Sequence, residues 1–215
     1  MMEPQVIGVS GSPVKNSNTD RLVKEVLEQS GLSHEFVKLS KVNIRPCIAC
    51  LNCAEDNVCK VNDDFPPLAE KLKKARALVV GSYPPYGAVD GFSKAFLERL
   101  FSMRHRENLN RGKLAVVVTT GVGRGFPGLE EASRQVATVL QMEGMEVLGQ
   151  VKAEGNVTCM VCGFGTECRI SALPHIFEPG AEMTPDRFLN AEDQAEVWNR
   201  AKELGRIIGE RAGEE

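Results

Sequence analysis

Residues 5–27 read QVIGVSGSPVKNSNTDRLVKEVL. Gln5–Val9 is a short, continuously apolar run, the mark of a strand covered on both faces. Asn18–Ser30 follows with Leu22, Val23, Val26 and Leu27 on one helical face, and Gly31 closes the segment. A strand feeding a helix through a hydroxyl-rich loop is half of a βαβ unit. The alternation then recurs. Strands are predicted at His34–Leu39, Ala77–Gly81, Leu114–Thr119 and Met145–Val151. Helices are predicted at Phe65–Ala75, Gly91–Arg106, Leu129–Met142 and Ala191–Arg211. The fold class is therefore α/β: a doubly wound, five-stranded parallel sheet of order 2-1-3-4-5. Residues 1–215 read as a single domain. Two stretches break the alternation, a cysteine-rich loop at 40–63 and an excursion at 153–189.

Composition narrows the function. The chain is 42% hydrophobic with a net charge of −3, so nothing draws it toward nucleic acid. A single tryptophan, Trp198, offers little for base stacking. The apolar run LAVVV at 114–118 is far too short to cross a bilayer. The opening MMEPQVIGVSGSP lacks the basic-then-apolar layout of a signal peptide. A cytoplasmic protein with no nucleic-acid or membrane partner is expected. In that compartment its seven cysteines are thiols or metal ligands rather than disulfides.

Four of them, Cys47, Cys50, Cys53 and Cys59, follow the spacing C-x2-C-x2-C-x5-C. Thiolates on so tight a loop can converge on one small inorganic object, and four is the number a cubane iron–sulfur cluster takes. Zinc sites more often pair two separated C-x2-4-C units. Zinc and free thiols remain the alternatives.

Ligands of doubly wound sheets bind at the carboxyl ends of the strands. After the first strand, Ser10, Ser12, Ser17, Asn18 and Thr19 lead into a helix N-terminus, whose free N–H groups favour an anion. The nucleoside-triphosphate pattern G-x-x-x-x-G-K-[ST] is missing, so a phosphomonoester fits better. The plainer alternative is a capping box around Thr19. After the third strand, Pro84 and Pro85 stiffen a rim carrying Tyr86 and Gly87, a wall for a flat ring or simply a rigid turn. After the fourth, TTGVGRGFPG places Thr120, Gly121, Gly123, Gly125 and Gly128 where backbone amides can meet a ligand.

The pieces GSPVKNSNT at 11–19, the cysteine run at 47–59, PPYGAVDGFSKAFLERL at 84–100 and TTGVGRG at 119–125 occur in this order. With them the chain resembles the NADPH-dependent FMN reductase-like branch of the flavodoxin superfamily. Within that branch it is similar to the iron–sulfur flavoproteins of anaerobic microbes. The resemblance implies FMN on three loops: Ser10, Ser12, Ser17, Asn18 and Thr19 at the phosphate; Pro84, Pro85, Tyr86 and Gly87 on the second loop; Thr120, Gly121 and Gly123 at the ring edge. It further implies a 4Fe–4S cluster on Cys47, Cys50, Cys53 and Cys59, and a homodimer or homotetramer.

A second set departs from that pattern. Cys159, Cys162 and Cys168 repeat C-x2-C-x5-C, with His175 seven residues on. It reads as a second metal site for zinc or a cluster, as redox thiols, or as incidental. Arg104, His105 and Arg106 read as the solvated basic end of a helix, or as a patch for an acidic electron carrier.

The expected activity is that of a flavin-dependent oxidoreductase moving electrons between NAD(P)H or a ferredoxin-like donor and an acceptor. The alternatives are a plain NAD(P)H-dependent FMN or quinone-type reductase, its cysteines holding zinc or nothing, and a non-catalytic electron carrier. No acid–base constellation stands out, and no catalytic residue is named.

Overall fold

The computed structural model describes residues 3–123, 128–178 and 180–213. Five strands, β1 (Val6–Ser10), β2 (His34–Lys38), β3 (Ala77–Ser82), β4 (Leu114–Gly121) and β5 (Glu146–Glu154), form one sheet. All pairs are parallel and the order is β2-β1-β3-β4-β5, the doubly wound arrangement expected from the alternation. The helices are α1 (Asn18–Gln29), α2 (Phe65–Lys74), α3 (Gly91–Leu100), α4 (Leu129–Met142), a single turn α5 (Leu173–Ile176) and α6 (Ala195–Gly213).

Strand residues alternate between two cores, as the pleat requires. Ile7, Val9, Leu78, Val80, Ala115 and Val117 pack with Phe65 and Leu72 of α2, Phe96 and Leu100 of α3, and Val136 and Leu140 of α4. Val6, Ala77, Val79, Leu114, Val116 and Val118 pack with Leu22, Val23, Val26 and Leu27 of α1 and with Leu204 and Ile208 of α6. Each such side chain contributes about 1.5–3 kcal/mol when fully buried. The central strands β1, β3 and β4 are covered on both faces, whereas β2 and β5 at the edges are only partly covered.

Three boundaries differ from the sequence expectation. The third helix, expected to reach Arg106, ends at Leu100 and tightens into a 3₁₀ turn over Phe101–Met103. The cause lies in the cysteine loop. Asn57 Oδ1 accepts from the His105 backbone N–H at 2.8 Å, and Asn57 Nδ2 donates to Glu107 O at 3.0 Å, drawing this segment off the helix axis. The last helix starts at Ala195 rather than Ala191, because the Ala191 N–H is taken by Asn18 Oδ1 at 3.2 Å. Strand β5 runs on to Glu154, since its pairing with β4 continues to Gly121. Among the described residues no helix is long and apolar enough to cross a membrane.

Candidate functional site

The loop after β1 spends most of its polar side chains on the protein itself. The Ser10 hydroxyl donates to Asp20 Oδ1 at 2.6 Å, and Asp20 pairs with Lys38 Nζ at 2.6 Å. Ser17 is the N-cap of α1 and forms a reciprocal capping box with Asp20, so the box is centred on these residues rather than on Thr19. Asn18 ties down a distant segment, donating to Leu189 O at 2.9 Å and accepting from Ala191 N. Thr19 Oγ1 lies 2.6 Å from Thr120 Oγ1. Ser12 accepts only a local N–H, from Val14 at 3.3 Å. The N–H groups of Asn18 and Thr19, in the first turn of α1, have no intrahelical acceptor by helix geometry.

The loops after β3 and β4 close on each other. Pro85–Gly87 forms a 3₁₀ turn with Tyr86 in the left-handed region (φ 52°) and its side chain fully exposed. Gly87 backs onto Gly128: a Cβ on Gly128 would lie 2.7 Å from Gly87 Cα, and Gly128 itself has φ 122°. A Cβ on Gly121 would lie 2.8 Å from Pro84 Cγ. Gly123 is left-handed as well (φ 64°). Gly125 falls outside the described residues.

The four clustered cysteines come together. Cys47, Cys50, Cys53 and Cys59 line one pocket, together with Ile48, Leu51, Arg99 and Phe101. The turning of the chain explains this. Ala49, Leu51 and Asn57 all take left-handed backbone (φ 52°, 57° and 57°), a conformation that costs a non-glycine residue about 1–2 kcal/mol. Strain of this kind persists where the surroundings fix it, and it concentrates at ligand clamps. Burial pushes the Cys53 thiol up; its own backbone hydrogen bond opposes this, and charge on Cys59, Cys50 and Cys47 adds to it. Cys53 Sγ lies 3.1 Å from His105 Nε2, which sets the half-buried His105 against the cysteine loop.

Beneath the pocket sits a buried ion pair. Arg99 Nη1 and Nη2 meet Asp63 Oδ2 and Oδ1 at 2.6 and 3.1 Å, and Nη2 also donates to Cys59 Sγ at 3.2 Å. Burial would raise the Asp63 carboxyl, yet bonds from Arg99, Arg45 and Phe65 hold it below the usual range.

Residues 4–154 match the NADPH-dependent FMN reductase family. The chain belongs to that family. Among its relatives, an iron–sulfur flavoprotein of Methanocaldococcus jannaschii is 32% identical over 148 residues, 67% of this chain and 76% of that protein. One from Methanosarcina thermophila is 26% identical over 157 residues, 72% of this chain and 82% of the other. The fold is shared with a flavodoxin from the domain Archaea (TM-score 0.54, 15% identity, covering 97% of this chain and 98% of the other). It is shared too with an NADH:FMN oxidoreductase (TM-score 0.56, 16% identity, covering 94% and 88%).

For an FMN reductase-family protein, a flavin-dependent oxidoreductase, the residues present suit the flavin. The helix N-terminus offers unshared N–H donors for a phosphate. The buried Thr119 hydroxyl, two residues from the end of β4, has no hydrogen-bond partner among the described residues. The donor set of the pocket suits a cluster as well. Among the described residues no three His, Cys, Asp or Glu side chains gather around a single metal ion.

The second cysteine set is arranged differently. The excursion packs beside the loop after β4, with Gly155 N donating to Gly121 O at 2.6 Å. Within it, Cys159 Sγ accepts from Ala172 N at 3.4 Å, and Cys162 Sγ lies 3.6 Å from Cys159 O. Cys162 is exposed, and Cys168 and Cys159 are half-buried. His175 sits on the single turn α5, with no bond from its ring to any of the three among the described residues.

Sequence reasoning gave Arg99 and Asp63 no role at a site, and read His105 as part of a basic helix end. The signal for Arg99 was present: an arginine falls on the apolar stripe of a helix beside Phe96 and Leu100, where a charge needs a partner.

Proposed function

We propose that this protein carries FMN and one 4Fe–4S cluster and moves electrons between NAD(P)H or a ferredoxin-like donor and an acceptor. The observation that carries this reading is the convergence of Cys47, Cys50, Cys53 and Cys59 on one pocket that also takes in Arg99. Together, bound flavin and cluster would supply exchange between two-electron and one-electron transfer. The chain's own residues bind and position. The first-turn amides of α1, with Ser12 beside them, would take the flavin phosphate. Pro84, Tyr86, Gly87, Gly121 and Gly123 would form the wall along the ring. The four thiols would hold iron, and Arg99 and Asp63 would fix the charge beneath them. No side chain is assigned a proton-transfer step.

The rim of the pocket supports assembly with a second copy. Ile48, Leu51 and Phe101 stand 68%, 60% and 41% exposed around it, an apolar border suited to burial in a homodimer or homotetramer. Free thiols at this density suit a reducing compartment such as the cytoplasm.

Iron, sulfide and flavin content of anaerobically purified protein test the reading. About four iron and four sulfide per chain, with flavin, are expected. Zinc without sulfide would overturn it, and flavin with steady NAD(P)H turnover but no sulfide would support the plain reductase instead.

A further inference from the structure

Arg99 is the bulkiest fully buried side chain among the described residues, 1% exposed, and its setting is unusual for a core position. Nη1 donates to Asp63 Oδ2 and, at 2.9 Å, to Arg45 O. Nη2 donates to Asp63 Oδ1 and to Cys59 Sγ. The guanidinium lies over the Phe65 ring, 4.7 Å from its centroid. Asp63 is also fully buried, and its oxygens accept from the Arg45 and Phe65 backbone N–H groups, both at 3.0 Å. The guanidinium can neither turn nor leave. Its Nε–H, however, has no acceptor among the described residues.

Stability alone does not account for this arrangement. Burying an ion pair roughly breaks even against apolar packing, and leaving a buried donor unpaired costs about 1–3 kcal/mol. What remains is the direction in which the group faces: Arg99 lines the pocket of the four cysteines. Four thiolates carry a concentration of negative charge that a low-dielectric site must balance. The potential of a thiolate-bound cluster depends on net charge, hydrogen bonds to the sulfurs and exposure.

We infer that Arg99 is a positioning residue for the cluster, the buried N–H donor to Cys59 Sγ that raises the cluster's reduction potential. The inference rests on the cluster reading above. Asp63 keeps the planar fork aimed and is itself fixed by two backbone N–H groups, so the edge of the guanidinium still presents a donor toward sulfur.

The test is a redox titration of anaerobically prepared holoprotein, with iron and flavin contents measured alongside. Arg99→Met combined with Asp63→Asn removes both charges without leaving either one unpaired. Its cluster midpoint is expected to fall below that of the parent, while the flavin midpoint and flavin content stay unchanged. Arg99→Lys keeps the charge, loses the fork and Nε, and should shift in the same direction by less. A double variant with the parental cluster midpoint and iron content would overturn the inference. If the double variant does not fold, Arg99→Lys decides: an unmoved midpoint overturns the inference and a lowered one supports it. Parent protein without iron and sulfide overturns the cluster reading itself, whereas a loaded parent with unmoved variants removes only the role of Arg99.

Discussion

Thr19 Oγ1 and Thr120 Oγ1 share a hydrogen bond of 2.6 Å between two side chains 101 residues apart, both buried. This one bond fastens the first turn of α1 to the end of β4. It joins two of the three strand-end loops proposed to hold flavin, and it pairs two hydroxyls that sequence context offers as ligands.

Replacing either threonine with valine keeps its shape and leaves the other hydroxyl unpaired. Each single variant should lose about 1–3 kcal/mol of stability, and the double variant should lose clearly less than the sum. Urea denaturation of the apoprotein reads this. Strict additivity would mean that the two hydroxyls do not depend on each other.

The contact between Gly87 and Gly128 sets the spacing of the loops after β3 and β4. Gly128→Ala places a Cβ 2.7 Å from Gly87 Cα at a backbone angle of φ 122°. Flavin binding should weaken about tenfold or more, the equivalent of ~1.4 kcal/mol. Gly91→Ala, where a Cβ meets nothing within 4 Å, should bind flavin as the parent does. Fluorescence titration with FMN compares them, and equal affinities in the two variants would refute the role given to the glycine pair.

Glu143 gives a pH dependence with a definite sign. Its side chain is 4% exposed and contacts Asn110 Nδ2 at 3.2 Å and Arg104 Nη1 at 3.4 Å. Burial pushes its carboxyl above the usual 4.5, more than Asn110 and Arg104 lower it. The folded chain therefore holds this proton where the unfolded chain releases it. The associated stability is full below pH 4.5 and is lost as pH rises through the folded value. Glu143→Gln should raise the melting temperature at neutral pH, and its advantage over the parent should shrink toward pH 4. An advantage independent of pH would show that the carboxyl titrates normally.

Much of this protein is legible in one dimension. Strand and helix identities follow from apolar periodicity, and periodicity is local. Val6–Ser10 and Leu114–Gly121 are apolar because both faces of a central parallel strand are covered, which implies crossover helices, and five such strands fit the order 2-1-3-4-5 that the sheet has. The cysteine run is legible for the same reason, since its four thiols lie within one short loop. The tertiary structure decided the partners of each polar side chain. The Asn18 side chain, read in sequence as a ligand, donates to Leu189 O, and that of Asn57 donates to Glu107 O, 50 residues away. Arg99 meets Cys59 and Asp63 only because α3 and the cysteine loop pack together. Burial is written into the sequence as a repeating pattern of residue type. A hydrogen bond is a matter of direction and of angstroms, and it is settled only when distant segments meet.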